Sequence, residues 1–149
     1  MPDNRNRKRP IQVKFFVDEK EQALIKKKME QALIFSMPAP SLRVRVNTNG
    51  LSDLVNGRPT AALFAGKVDC LSISLNTDDP AEYLAVCRPK FGADAYPAML
   101  AFAHDAVQCV PEVVMTVVGE PVTDAAKQAR CRAIAEGLGA RLRVRPWEG

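Results

Sequence analysis

From Pro40 to Gly149 the chain switches repeatedly between two apolar periods, and that switching limits the folds open to it. In LRVRVNTNG, Leu42, Val44 and Val46 fall on one side of a pleat and Arg43 and Arg45 on the other, the period-two mark of a strand. KVDCLSISLN (67–76) is apolar at most positions, as a parallel strand covered on its faces should be. EVVMTVV (112–118) and ARLRVR (140–145) supply a third and a fourth strand. Helical signals separate them. LSDLVNGRPTAALFAG gives one or two short turns, with Pro59 suited to a helix start, and Asp79-Pro80-Ala81-Glu82 opens a short helix that ends near Arg88-Pro89. Tyr96, Met99, Leu100, Ala103 and Val107 mark a longer amphipathic helix. Thr123 or Asp124 caps a last one, with Cys131, Ile134, Ala135 and Leu138 inward and Gly139 at its end. Each crossover is long enough to bring the next strand in parallel. The expectation is an α/β fold over 42–149, either a partial (βα) barrel of about four parallel strands or a small open sheet.

The remaining residues have a different character. A chain of 149 residues that is 47% hydrophobic fits one ordinary domain, or a small domain with an appendage. The net charge of +4 lies entirely within residues 1–30, so it describes that segment and not the barrel part. Residues 1–36 read as a basic strand-helix segment. NRNRKR is an arm, Ile11, Val13, Phe15 and Val17 alternate along PIQVKFFV, and Asp18 with Glu21 opens a helix carrying Ile25, Met29, Ala32 and Leu33 on one side. Residues 37–41, with Pro38 and Pro40, form a linker that ends the helix. No run of 18 apolar residues suggests a membrane span, and MPDNRNRKRP has no apolar stretch behind it, so a cytoplasmic protein with no membrane contact is expected.

Redox and metal chemistry find little support. Cys70, Cys87, Cys109 and Cys131 show none of the short spacings that gather thiolates on one ion, and small buried residues are the expected role for them. His104 sits mid-helix without a partner motif, so a solvated or core-edge position is expected. No catalytic residue and no metal ligand stand out.

Ligands of parallel α/β proteins meet the C-terminal ends of the strands. Those ends are Asn47-Thr48-Asn49, Ser74-Leu75-Asn76, Gly119-Glu120 and Arg143-Val144-Arg145. Amides and hydroxyls at two neighbouring ends suit the hydroxyls of a ribose, Gly119 lets a flat ring approach the backbone, and the arginines suit a carboxylate or phosphate. The same residues also suit plain turns and solvated strand faces.

Taken together, VNTNGLSDLVNGR, VDCLSISLN, YLAVCRPKFGADAYPAML, VVMTVVG and RLRVRPW resemble the C-terminal half of radical S-adenosylmethionine proteins, in particular the small group associated with TatD-type nucleases. The resemblance covers about residues 40–149. It implies a TIM-type barrel section in which Asn47, Thr48, Asn49, Ser74 and Asn76 line an S-adenosylmethionine pocket. By the same resemblance Arg88 and Arg145 contact charged groups of the ligand, and Gly119 lies beneath the adenine. The family's [4Fe–4S] cluster is held by a C-x-x-x-C-x-x-C loop that this sequence does not contain, so a truncated domain, inactive alone, is implied. Half a barrel leaves open sheet edges, which implies self-association or docking on a missing half.

RKRPIQVKFFVDEKEQALI resembles the start of ribbon-helix-helix proteins of the plasmid-mobilisation accessory type. That resemblance implies an alternative function in DNA binding, with Gln12 and Lys14 on the strand and Arg5, Arg7, Lys8 and Arg9 on phosphates. The family's second helix should follow Leu33, where this chain has its prolines.

Overall fold

A computed structural model of the chain describes residues 11–14 and 42–149. The helix expected over 18–33, the linker and the basic arm lie outside the described residues. The architecture is α/β: a parallel sheet with helical crossovers. Its elements run β1 (Ile11–Lys14), β2 (Val44–Thr48), α1 (Ser52–Asn56), a 3-10 turn (Ala61–Phe64), β3 (Cys70–Ser74) and α2 (Pro80–Cys87). A second 3-10 turn (Gly92–Asp94) leads into α3 (Ala95–Cys109), then β4 (Glu112–Val118), α4 (Ala125–Gly137) and β5 (Arg141–Arg145).

The strands lie in the order β1-β2-β3-β4-β5, every neighbouring pair parallel. The four strands expected from sequence are β2 to β5, and β1 comes from the segment that composition sets apart. A parallel neighbour can be reached only by carrying the chain back along the sheet, and such crossovers are right-handed in nearly all proteins. With strands taken in consecutive order, that rule sends the crossovers from β2 to β5 to the same side. The packing agrees: one core cluster joins Val46, Leu71, Ile73, Met115 and Val117 of the strands to Met99, Phe102 and Ala106 of α3 and to Cys131 and Ala135 of α4.

Register fixes what lies on the other side. Arg45 pairs with Cys70, Asn47 with Ser72, Ser72 with Val114, Thr116 with Arg143 and Val118 with Arg145. Alternation along each strand puts these residues on the side away from Leu71, Ile73 and Met115. The sheet therefore has an apolar side packed on helices and a side rich in Arg, Ser and Thr. Gln12 and Lys14 take register positions beside Arg45 and Asn47.

Local signals explain the element boundaries. Asp79 caps α2 by accepting from the amides of Ala81 (2.7 Å) and Glu82 (3.1 Å), and Pro80 fills the first helical position, where its missing N–H costs nothing. Asp124 caps α4 through the Lys127 amide (2.8 Å), and Gly139 adopts φ +82° just beyond its end. No helix among the described residues is long and apolar enough to cross a membrane.

The apolar side makes a measurable claim. Phe102 is fully buried and meets the Phe64 ring edge-on at 6.1 Å. Phe102→Ala should lower unfolding free energy by about 3–5 kcal/mol, whereas Leu63→Ala, at a side chain 51% exposed, should change it by less than about 0.5 kcal/mol. Urea denaturation of the two variants checks the contrast.

Candidate functional site

Because all strands are parallel, their C-terminal ends form one rim. β2 ends in a turn made by its own side chains. Thr48 Oγ1 accepts from the Gly50 amide at 3.0 Å, and Asn49 Oδ1 accepts from the Leu51 amide at 3.1 Å. Gly50 has φ +75°, and a Cβ there would stand 2.9 Å from Met99 Cγ, so only glycine lets the turn settle on α3. Asn47 Oδ1 accepts from Arg45 Nε at 3.3 Å, while Arg45 Nη2 reaches Ser72 Oγ at 2.9 Å on the neighbouring strand. Thr48 is buried and Asn49 exposed, both already engaged in the turn.

β3 ends differently. Ser74 is half-buried and has no hydrogen-bond partner for its hydroxyl among the described residues. Asn76 takes φ +66°, its backbone amide donates to the Thr116 carbonyl at 3.1 Å, and its side-chain amide donates to Cys87 Sγ at 3.3 Å. The next two residues, Thr77 and Asp78, start a charged network that local patterns did not disclose. Thr77 Oγ1 donates to Glu82 Oε2 at 2.7 Å, Lys127 of α4 also donates to Glu82, and Arg130 Nε donates to Asp78 Oδ2 at 2.6 Å. The Tyr96 hydroxyl closes the group on the Thr77 carbonyl at 3.2 Å. Asp78 and Arg130 are 52 positions apart in sequence, so no local window contains both. The available signal was complementary spacing: Lys127 and Arg130 share one face of α4, and two acids open α2.

Electrostatics follow these contacts. Lys127, then Thr77, holds the Glu82 carboxyl below its ordinary range, and Arg130 does the same for Asp78. Burial pushes the Cys131 thiol up to about 11 and the Tyr96 phenol to about 12, so both stay protonated at neutral pH. Asp78 Oδ1 and Thr123 Oγ1 are buried without a partner among the described residues. At the opposite end of the sheet, Glu112 is shared by Arg43 (2.8 Å) and Arg141 (3.0 Å to Nε), which hold its carboxyl below the usual range, Arg141 most strongly. Burial, followed by the Glu112 charge, pushes the neighbouring Cys70 thiol up.

Gly119 and Arg145 meet each other. The Gly119 amide donates to the Arg145 carbonyl at 2.8 Å, and a Cβ on Gly119 would lie 3.0 Å from Val144 Cγ1. Close approach of β5 is thus a sufficient reason for glycine here. The Arg145 side chain is exposed. Arg88 is exposed too, with φ +44° at the C-cap of α2, where its backbone amide donates to the Leu84 carbonyl at 3.2 Å. Ser74, Asn76 and Arg145 thus stand at the rim, and Arg88 follows Cys87, whose Sγ meets the Asn76 side chain. Gln12 and Lys14 belong to β1, and Arg5, Arg7, Lys8 and Arg9 lie outside the described residues.

The cysteines do not converge. Cys70 opens β3 and Cys109 closes α3, whereas Cys87 meets Asn76 beyond the other end of β3, and Cys131 is fully buried in α4. All four are free thiols, and among the described residues no three His, Cys, Asp or Glu gather as a metal site. His104 is exposed beside Asp105. No family model, curated protein or solved structure matches this chain.

The Glu82 and Asp78 carboxyls are both depressed by their partners, so the stability they contribute is present above about pH 4.5 and is lost as pH falls through the lowered values. Because solvent screens the part-exposed Glu82, Lys127→Met should destabilise the protein by less than about 1 kcal/mol at pH 7, and the gap should narrow as pH falls below about 4.5. Thermal unfolding of both proteins across that range measures it.

Proposed function

We propose that the chain is a partial (βα) barrel of radical S-adenosylmethionine type that binds an adenosyl ligand at its strand rim and starts no radical chemistry by itself. The observation that carries this reading is the consecutive all-parallel strand order with the described helices packed on one side. A doubly wound sheet reverses its strand order and puts helices on both faces, and its ligands bind at the point of reversal. A sheet wound in one direction has no such point. It is the arrangement from which a barrel closes, with helices outside and the other strand face packed inside, as the burial of Cys70, Ser72, Val114 and Thr116 fits.

The ligand fit is selective among the strand-end residues. Ser74 has a free hydroxyl, Asn76 has a side-chain amide within 3.3 Å of a thiol and no other partner, and Arg145 is exposed. These three suit the hydroxyls and carboxylate of an adenosylated amino acid. Thr48 and Asn49 serve the turn, and Gly119 serves the β4–β5 contact. The iron–sulfur cluster does not fit. Four dispersed cysteines, two of them buried, cannot supply three converging thiolates, so no step through a cluster follows from these residues.

Equilibrium dialysis with S-adenosylhomocysteine tests the reading without any redox step. Saturable binding that Ser74→Leu weakens at least tenfold, with folding intact by circular dichroism, is the expected result. Absence of binding at millimolar ligand, or binding indifferent to Ser74, would remove the proposal.

A further inference from the structure

A second polar feature lies along the sheet's edge and shares only Arg145 with the rim. β5 presents Arg141, Arg143 and Arg145 on its polar side, opposite Leu142 and Val144, which pack on the core. All three arginines are exposed. Successive ones stand about 6.6 Å apart along the strand, so they form a straight ladder of cations. Glu112 occupies Arg141, but Arg143 and Arg145 have no ion pair among the described residues. Two positions after the ladder comes Trp147, 53% exposed. Residues 138–149 contain these three arginines and a single acid, Glu148.

We infer that the β5 edge, through Arg143, Arg145 and Trp147, binds single-stranded nucleic acid without sequence preference. An unpaired cationic row answers a phosphate backbone, and an exposed indole offers the face on which any base can stack. A solvated strand needs the cations but not the large exposed aromatic. Tryptophan left in water exposes apolar area with no compensating contact, whereas stacking on a base covers it. A duplex, with its bases already stacked on one another, offers the arginines phosphates but gives Trp147 no free base face. An acidic peptide could pair with the open edge, yet it leaves Trp147 without a role.

Trp147 is the sole tryptophan of the chain, so its emission reports on this site directly. The full-length protein is titrated with a twelve-nucleotide oligothymidylate, following Trp147 emission and the anisotropy of an end-labelled copy. Emission should be quenched to a saturable plateau. Arg143→Gln with Arg145→Gln should weaken binding at least tenfold and flatten the slope of log affinity against log salt by about 1.4, two phosphate contacts at roughly 0.7 each. Trp147→Ala should cost about tenfold in the anisotropy assay while leaving that slope unchanged. Replacing Arg5 and Arg7 by Gln is the charge-matched control and should leave the quench in place. Unchanged Trp147 emission at saturation would overturn the inference. So would wild-type affinity in the Arg143/Arg145 variant, loss of binding only in the Arg5/Arg7 variant, or equal affinity for duplex DNA, an acidic peptide or anionic vesicles. Arg145 is common to both sites, but the dialysis reads Ser74 and this titration reads Arg143 and Trp147 with another probe, so either can fail alone.

Discussion

Parallel pairing of neighbouring strands in consecutive order is the constraint on which the rest of the molecule depends. It obliges the chain to return along the sheet between strands, and handedness sends each described return, from β2 to β5, to the same side. The strands consequently carry two unlike faces. Val46, Leu71, Ile73, Met115 and Val117 are excluded from water by α3 and α4, while the alternate positions hold Arg45, Ser72, Thr116 and Arg143. Burying the first set supplies the hydrophobic driving force; on the other side the register sets the spacing, with Ser72 and Thr116 buried and Arg143 exposed.

The same constraint explains how the ends of the sheet differ. At the N-terminal end, Glu112 on β4 draws Arg43 and Arg141 together across β3, and Asp69 accepts from the Val44 amide at 2.7 Å. At the C-terminal end, Asp78 and Glu82 tie the loop after β3 and α2 to Arg130 and Lys127 of α4. Among the described residues, Ser74 at the rim and Arg143 and Arg145 on the edge strand keep their side-chain polar groups without a partner. Unpaired arginines on an exposed edge also discourage a second β5 from pairing there, since like charges would face each other.

Much of the fold could be read from local pattern because the elements obey local rules. β4 runs from Glu112 to Val118 as the β-branched run indicates, Asp79 and Asp124 cap the helices they precede, and Gly139 ends α4. Tyr96, Met99 and Ala103 are buried at the expected helical spacing, with Leu100 and Val107 packed against the core. β2 and β3 are shorter than their apolar runs: Leu42 precedes β2, and Asp69, whose amide donates to the Val44 carbonyl and whose carbonyl accepts from the Glu112 amide, stands just before β3. Whether β1 joined the sheet was not legible, since pairing is a long-range choice and the alternation of PIQVKFFV suits several. The site was less legible than the fold. Thr48, Asn49 and Gly119 look like ligand groups by type and position, and only coordinates show that their atoms already serve the turn and the β5 contact. Glu82 fits a capping box by spacing, yet its carboxylate reaches Thr77 and Lys127 instead of its own helix start.

Inter-strand contacts measured by NMR on isotope-labelled protein examine the central claim most directly. Sequential parallel pairing predicts backbone Overhauser contacts and slowly exchanging amides linking Val46 with Leu71, Ser72 with Val114, and Thr116 with Arg143. Contacts of antiparallel sense between any of these strands, or β5 adjoining β2 rather than β4, would contradict the two-faced sheet and every function argued from it.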